Sequence, residues 1–68
     1  MTHNQDAMLR AHKAGTDFAK RTIGEIDATP KALIIAEGIA NQDEQDAFLG
    51  GYHGERQRIA RRNARAAS

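Results

Sequence analysis

The sequence predicts an all-α fold of three helices in the order long, short and long. Apolar or small residues recur at steps of three and four over residues 8–26 and again from residue 48 onward, which is helical spacing. Between these segments, a Thr-Pro pair precedes a dense apolar run at residues 32–40. A strand in this run would have no partner strand elsewhere in the chain, so the run is expected to be helical as well.

The first helix is predicted over residues 4–24. The positions that carry its periodicity are Met8, Ala11, Gly15, Phe18, Thr22 and Ile26. Gly24 favours an end at this point, because a glycine inside a helix costs up to about 1 kcal/mol relative to alanine.

The second helix is predicted over residues 30–40. Thr29 suits the N-cap, and Pro30 suits the first helical position because the N–H that proline lacks would have no partner there. Apolar residues cover nearly all sides of this helix, so we expect it to be sandwiched between the two longer helices.

The third helix is predicted over residues 43–64, where Asp43 and Asp46 have the spacing of a capping box. The glycines that follow would either break the helix or allow another backbone to approach closely. Close approach to the small face of the first helix is favoured, because Phe48, Tyr52 and Ile59 keep helical register across the glycines. A hinge at positions 50 and 51 is the alternative.

The charge distribution divides the chain into two segments. Residues 1–55 hold five Lys/Arg and nine Asp/Glu, a balance of −4, and form the acidic helical body. Residues 56–68 hold five arginines and no acid, a balance of +5, and form the arginine-rich C-terminal helix end or tail. The basic charge of this end is therefore all arginine, which suits bidentate contacts to carboxylate or phosphate.

The arginine-rich segment is the main candidate site for partner binding. The members that would share one helix face are Arg58, Arg61, Arg62 and Arg65. We consider three interpretations of this arginine face. It is a solvated helix end that complements the helix dipole, a contact surface for another protein or a second copy, or a contact surface for nucleic-acid phosphates. Tyr52 is added to the predicted partner-binding residues as an aromatic anchor, although such a residue is more often part of the core.

A homodimer is expected because the predicted core is thin. In a 68-residue chain with few large apolar side chains, burial only narrowly offsets the lost conformational entropy, and a second subunit is a common remedy. If two copies of the third helix packed antiparallel, acidic starts would meet arginine ends, since Glu44 and Arg61 lie about 25 Å apart along a helix. The residues expected at this self-association surface are Asp43, Glu44, Phe48, Gly51 and Ile59.

No catalytic, cofactor or metal site is expected. The chain has no cysteine, and its three histidines lack the spacing of a metal motif. No pairing of a nucleophile with a base is readable in the sequence, and so small a core leaves little room for an active-site pocket. We therefore expect a non-enzymatic protein.

The sequence also predicts a cytoplasmic protein that makes no membrane contact. It begins with polar residues rather than with a basic segment followed by an apolar run, which argues against a signal peptide. Its longest dense apolar stretch, residues 32–40, is too short to span a bilayer.

In size, expected helical content and lack of cysteine, the chain resembles the small accessory proteins of bacteriophages and other mobile elements. Many of these proteins bind and block a host protein. The resemblance rests on no sequence motif, so it assigns no role to any residue of this chain. It implies a protein that binds another protein and modulates it. A nucleic-acid-binding protein that uses the arginine face on phosphates is the alternative.

Overall fold

Three helices account for almost all of the chain in the computed structural model, which describes residues 2–67 and the side chains of residues 5–66. They are α1 (Thr2–Arg21), α2 (Ala28–Glu37) and α3 (Gln42–Ala67). The predicted all-helical fold with the order long, short and long is confirmed, and residues 2–67 contain no strand.

The backbones of α1 and α3 approach each other closely at two glycines. A Cβ atom at Gly51 would overlap the carbonyl oxygen of His12, and a Cβ atom at Gly15 would overlap the carbonyl oxygen of Phe48. The helix α3 continues without a break through Gly51. The prediction of close packing rather than a hinge is therefore confirmed at this position.

The two long helices run parallel, and α2 runs in the opposite direction and connects the end of α1 to the start of α3. Met8 lies beside Glu44 near the start of both long helices, whereas Thr22 lies beside Ile59 towards their ends. The short helix is antiparallel to α3, because its start contacts Tyr52 and the segment after its end contacts the earlier residue Gln45.

Aromatic rings and alanines form the core. The ring centroid of Phe18 on α1 lies 6.2 Å from that of Phe48 and 5.8 Å from that of Tyr52, both on α3. Among the side chains that the structure describes, the buried hydrophobic residues are Ala19, Ala28, Ala32, Ala36, Phe48 and Tyr52. Because four of these six are alanine, the core is thin, as the sequence predicted.

The expectation that the second helix is sandwiched between the long ones is wrong. The long helices pack directly on each other at Gly15 and Gly51, which leaves no space between them for a third helix. The short helix α2 lies to one side and presents its alanines inward, at positions 28, 32 and 36. Its larger neighbours Leu33, Ile34 and Ile35 stay 45%, 67% and 42% exposed.

Asn41, and not Asp43, caps α3. The Oδ1 atom of Asn41 accepts hydrogen bonds from the backbone N–H groups of Asp43 at 2.8 Å and of Glu44 at 3.3 Å. The helix therefore begins one residue earlier than predicted, at Gln42, and Asp43 already lies inside its first turn. The prediction of a capping box that starts at Asp43 is wrong.

The start of α2 also differs from the prediction. The helix begins at Ala28 after Asp27, so Thr29 lies in the first turn instead of at the N-cap. The hydroxyl of Thr29 lies 3.0 Å from that of Tyr52, and this tertiary contact takes the place of a cap bond. The turn before α2 contains Gly24 with φ of 86°, a left-handed conformation that suits glycine.

Candidate functional site

The arginine-rich end is a direct continuation of α3. The helix runs from Gln42 to Ala67 through the boundary between residues 55 and 56 that the charge distribution suggested. Because Thr22 lies beside Ile59, the last turns of α3 extend past the end of α1. The molecule is elongated, with Cα extents of 46 × 23 × 14 Å.

The four arginines of the predicted face lie together at this end. All four side chains are exposed and border one shallow concave surface formed by Arg58, Arg61, Arg62 and Arg65. Such a surface concentrates positive charge where carboxylates or phosphates of a partner can approach. The structure thus brings the predicted arginine residues together on one surface.

Two of the arginines of the basic segment are tied to the helical body. The Nη2 atom of Arg58 lies 3.2 Å from the Oε2 atom of Glu55, a carboxylate whose residue is only 8% exposed. Arg56 donates from Nη1 to the hydroxyl of Tyr52 at 2.7 Å, and its guanidinium lies 5.6 Å from the centre of that ring. Arg56 is therefore a structural residue that covers the core rather than part of the exposed face.

The aromatic and glycine members of the predicted sites are internal. Tyr52 is completely buried, Phe48 is 3% exposed, and Gly51 lies in the α1–α3 contact. Their burial corrects the expectation that Tyr52 anchors a partner and that Phe48 and Gly51 contact a second copy, because no face of these residues is left for either. The physical reason is that the parallel packing of α1 on α3 uses the same stripe of α3 that an antiparallel dimer would need.

The other members of the predicted self-association surface are accessible. Asp43 is exposed and Glu44 is half-buried at the start of α3, and Ile59 is half-buried beside Thr22 and Ile23. Without Phe48 and Gly51, these residues do not form a continuous apolar surface. In this fold, the accessible acidic residues at the start of α3 are therefore not joined to Ile59 by an exposed apolar surface.

Exposed aliphatic side chains form surfaces that the sequence analysis did not identify. The exposed large hydrophobic residues are Met8, Leu9, Ile23, Ile26, Leu33, Ile34 and Ile35. One surface is the outer face of α2, and we call Leu33, Ile34 and Ile35 the α2 aliphatic face. In the sequence, the alanines at positions 28, 32 and 36 share one side of α2, but this spacing alone does not specify that the alanine side is the covered one.

A second apolar surface lies between the first halves of the two long helices. We call it the α1–α3 groove, and its lining residues are Gln5, Met8, Leu9, His12 and Ala47. Met8 is 38% and Leu9 68% exposed, so both side chains are accessible from outside. The acidic residues at the start of α3, including Glu44, lie next to Met8 and give this end of the groove negative charge.

The histidines and carboxylates do not assemble into a centre for chemistry within the part of the chain that the structure describes. No group of three or more metal-binding side chains occurs among these residues. His12 and His53 are exposed, and the ring of His53 packs edge-on against Tyr52 at a centroid distance of 5.1 Å. This contact accounts for the position of His53.

Among residues 2–67, none of the helices combines the length and the apolar character needed to cross a bilayer.

Comparisons with protein families, with curated proteins and with solved structures find no match to this chain.

Proposed function

We propose that this protein acts without catalysis, by binding another protein and modulating its activity. The observation that supports the proposal is the placement of the aliphatic side chains. Among residues 5–66, four of the six buried hydrophobic residues are alanines, while seven large hydrophobic residues lie exposed. Exposed apolar area of this kind on a small protein is typical of surfaces that bind other proteins.

The α1–α3 groove is the surface we assign to the partner protein. Leu9 and Met8 provide an accessible apolar floor, and methionine adapts its shape to the side chains it meets. Asp43 and Glu44 lie at one end of this region and favour a partner with basic residues beside its apolar anchors. An amphipathic segment with lysine or arginine on its rim has this chemistry.

Site-specific photo-cross-linking tests this assignment. A photoreactive residue at position 9 in the full chain, expressed in cells of its source, should yield one predominant covalent adduct with another protein. Arg21 is exposed at the opposite end of the same helix and provides the control position. Adducts of equal yield from positions 9 and 21, or no adduct from position 9, would contradict the proposal.

Modulation is measured with the cross-linked protein once it is identified. Its activity should change when the wild-type chain is added and should not change with the Leu9→Asp variant. Leu9 is 68% exposed, so a charged side chain there should leave the fold intact while removing the apolar contact. An unchanged activity with both chains would mean that binding has no modulating effect.

A second candidate function is nucleic-acid binding, and the specific observation that favours it is the shared concave surface of the four exposed arginines. Contacts would go to phosphates, because Tyr52 and Phe48 are buried and offer no ring for base stacking. The full chain should then shift duplex DNA or RNA at low salt and lose affinity steeply as salt rises. The double variant Arg61→Gln, Arg62→Gln should abolish this shift, whereas the control variant Lys13→Gln should keep it. If the wild-type chain gives no shift at low salt, this function is rejected.

A further inference from the structure

The outer face of α2 has an order of residues that suits a second copy of the same helix. Ile34 lies opposite the buried alanine stripe and is 67% exposed. Lys31 precedes it by three residues and Glu37 follows it by three, so all three lie on the outward side of the helix. Leu33 and Ile35 flank this side, one on each edge.

This order is self-complementary under a two-fold axis. If two α2 helices pack antiparallel with Ile34 against Ile34, Lys31 of each copy comes level with Glu37 of the other. An isologous contact requires that residues pair in this reciprocal way. The Nζ atom of Lys31 also lies 3.4 Å from the Oδ2 atom of Asp27, the residue just before α2 in the same copy, and its ammonium group has donors for both carboxylates.

The chain exposes more surface than a compact monomer of its mass. The accessible surface is 5134 Å², whereas a compact monomer of 7.4 kDa is expected to expose about 4200 Å². The excess is about 900 Å² over the whole chain, so the chain has surface that a second copy could cover. The projecting end of α3 and the exposed aliphatic side chains both contribute to this excess.

We propose that the chain forms a homodimer through the α2 aliphatic face, with the two α2 helices antiparallel about an axis at Ile34 and with reciprocal Lys31–Glu37 pairs. The dimer buries Leu33, Ile34 and Ile35 of both copies. It leaves the α1–α3 groove of each copy open, so this interface is separate from the proposed partner site. It also differs from the dimer expected from the sequence, because α2 replaces α3 as the contact helix.

Sedimentation equilibrium of the full chain provides the first test. The wild type should be a dimer of the 7.4 kDa chain, and Ile34→Ser should raise the dimer dissociation constant more than about tenfold, because each dimer loses two isoleucine contacts. Leu9→Ser is a matched control, since Leu9 is 68% and Ile34 67% exposed, and it should leave the dimer unchanged. A monomeric wild type, or a dimer that Ile34→Ser does not weaken more than Leu9→Ser, would overturn the proposal.

A charge exchange provides the second test and examines the direction of pairing. Lys31→Glu alone and Glu37→Lys alone should each weaken the dimer, because each places like charges opposite one another. The double variant with both changes should recover the wild-type dissociation constant to within about threefold. Circular dichroism should show equal helix content in all variants. A double variant no tighter than the single variants would rule out the antiparallel arrangement.

Discussion

The hydroxyl oxygens of Tyr52 on α3 and Thr29 on α2 lie 3.0 Å apart, in a hydrogen bond that joins the start of the short helix to the centre of the long one. Arg56 donates to the same tyrosine oxygen at 2.7 Å. Tyr52 is fully buried, so this oxygen depends on protein partners for its hydrogen bonds. The contact explains why a threonine that resembles an N-cap lies inside the helix.

Tyr52→Phe should reduce the free energy of unfolding by about 1 kcal/mol, because the Thr29 and Arg56 groups lose their shared partner. Chemical denaturation followed by circular dichroism measures the change. Thr29→Val should cost a similar amount, and the double variant should cost less than the sum of the two. A fully additive double variant would show that the two hydroxyls do not interact in solution.

Gly51→Ala should destabilise the fold by about 1–3 kcal/mol or more, because its methyl group would overlap the His12 carbonyl oxygen, a backbone atom that cannot move alone. Gly50→Ala is the matched control on the same helix. A Cβ atom at Gly50 meets nothing within 4 Å, so this variant should gain up to about 1 kcal/mol from helix propensity. Thermal unfolding of both variants gives the comparison, and equal effects would argue against the close α1–α3 contact.

Asn41→Ala should lower the free energy of unfolding by about 1 kcal/mol, because two backbone N–H groups at the start of α3 lose their acceptor. Asp43→Ala should cost only a few tenths of 1 kcal/mol, because it removes a charge from the first turn of the helix but no cap bond. Urea denaturation distinguishes the two. A larger loss from Asp43→Ala than from Asn41→Ala would support the capping box that the sequence suggested.

Arg58→Glu should destabilise the fold by up to about 1 kcal/mol, because it places a second carboxylate beside Glu55, a residue that is 8% exposed. Arg61→Glu, a change of the same charge on the same exposed face, should leave the melting temperature almost unchanged. The comparison is made by thermal unfolding at low salt. Equal losses would mean that the Glu55 contact contributes nothing to stability.

Local sequence patterns predicted much of the fold and little of the candidate sites. Helical spacing identified three helices, and the glycine at position 51 identified a close backbone approach. The arginine face was also recognisable, because residues at steps of three and four share one side of any helix. The apolar surfaces were missed, because an apolar residue on an amphipathic pattern looks the same whether it faces a core or the solvent.

The sequence by itself determined that this chain is helical, where its charges collect and which helices are long, because these properties depend on residues close together in the chain. The tertiary structure alone decided which side of α2 is buried. Gly15 and Gly51 bring α1 and α3 into direct contact, which displaces α2 from the position between them. Only the alanine side of α2 then fits against the long helices, and Leu33, Ile34 and Ile35 are left outside. Which apolar face is covered depends on the space left by other helices, and no local pattern specifies that space.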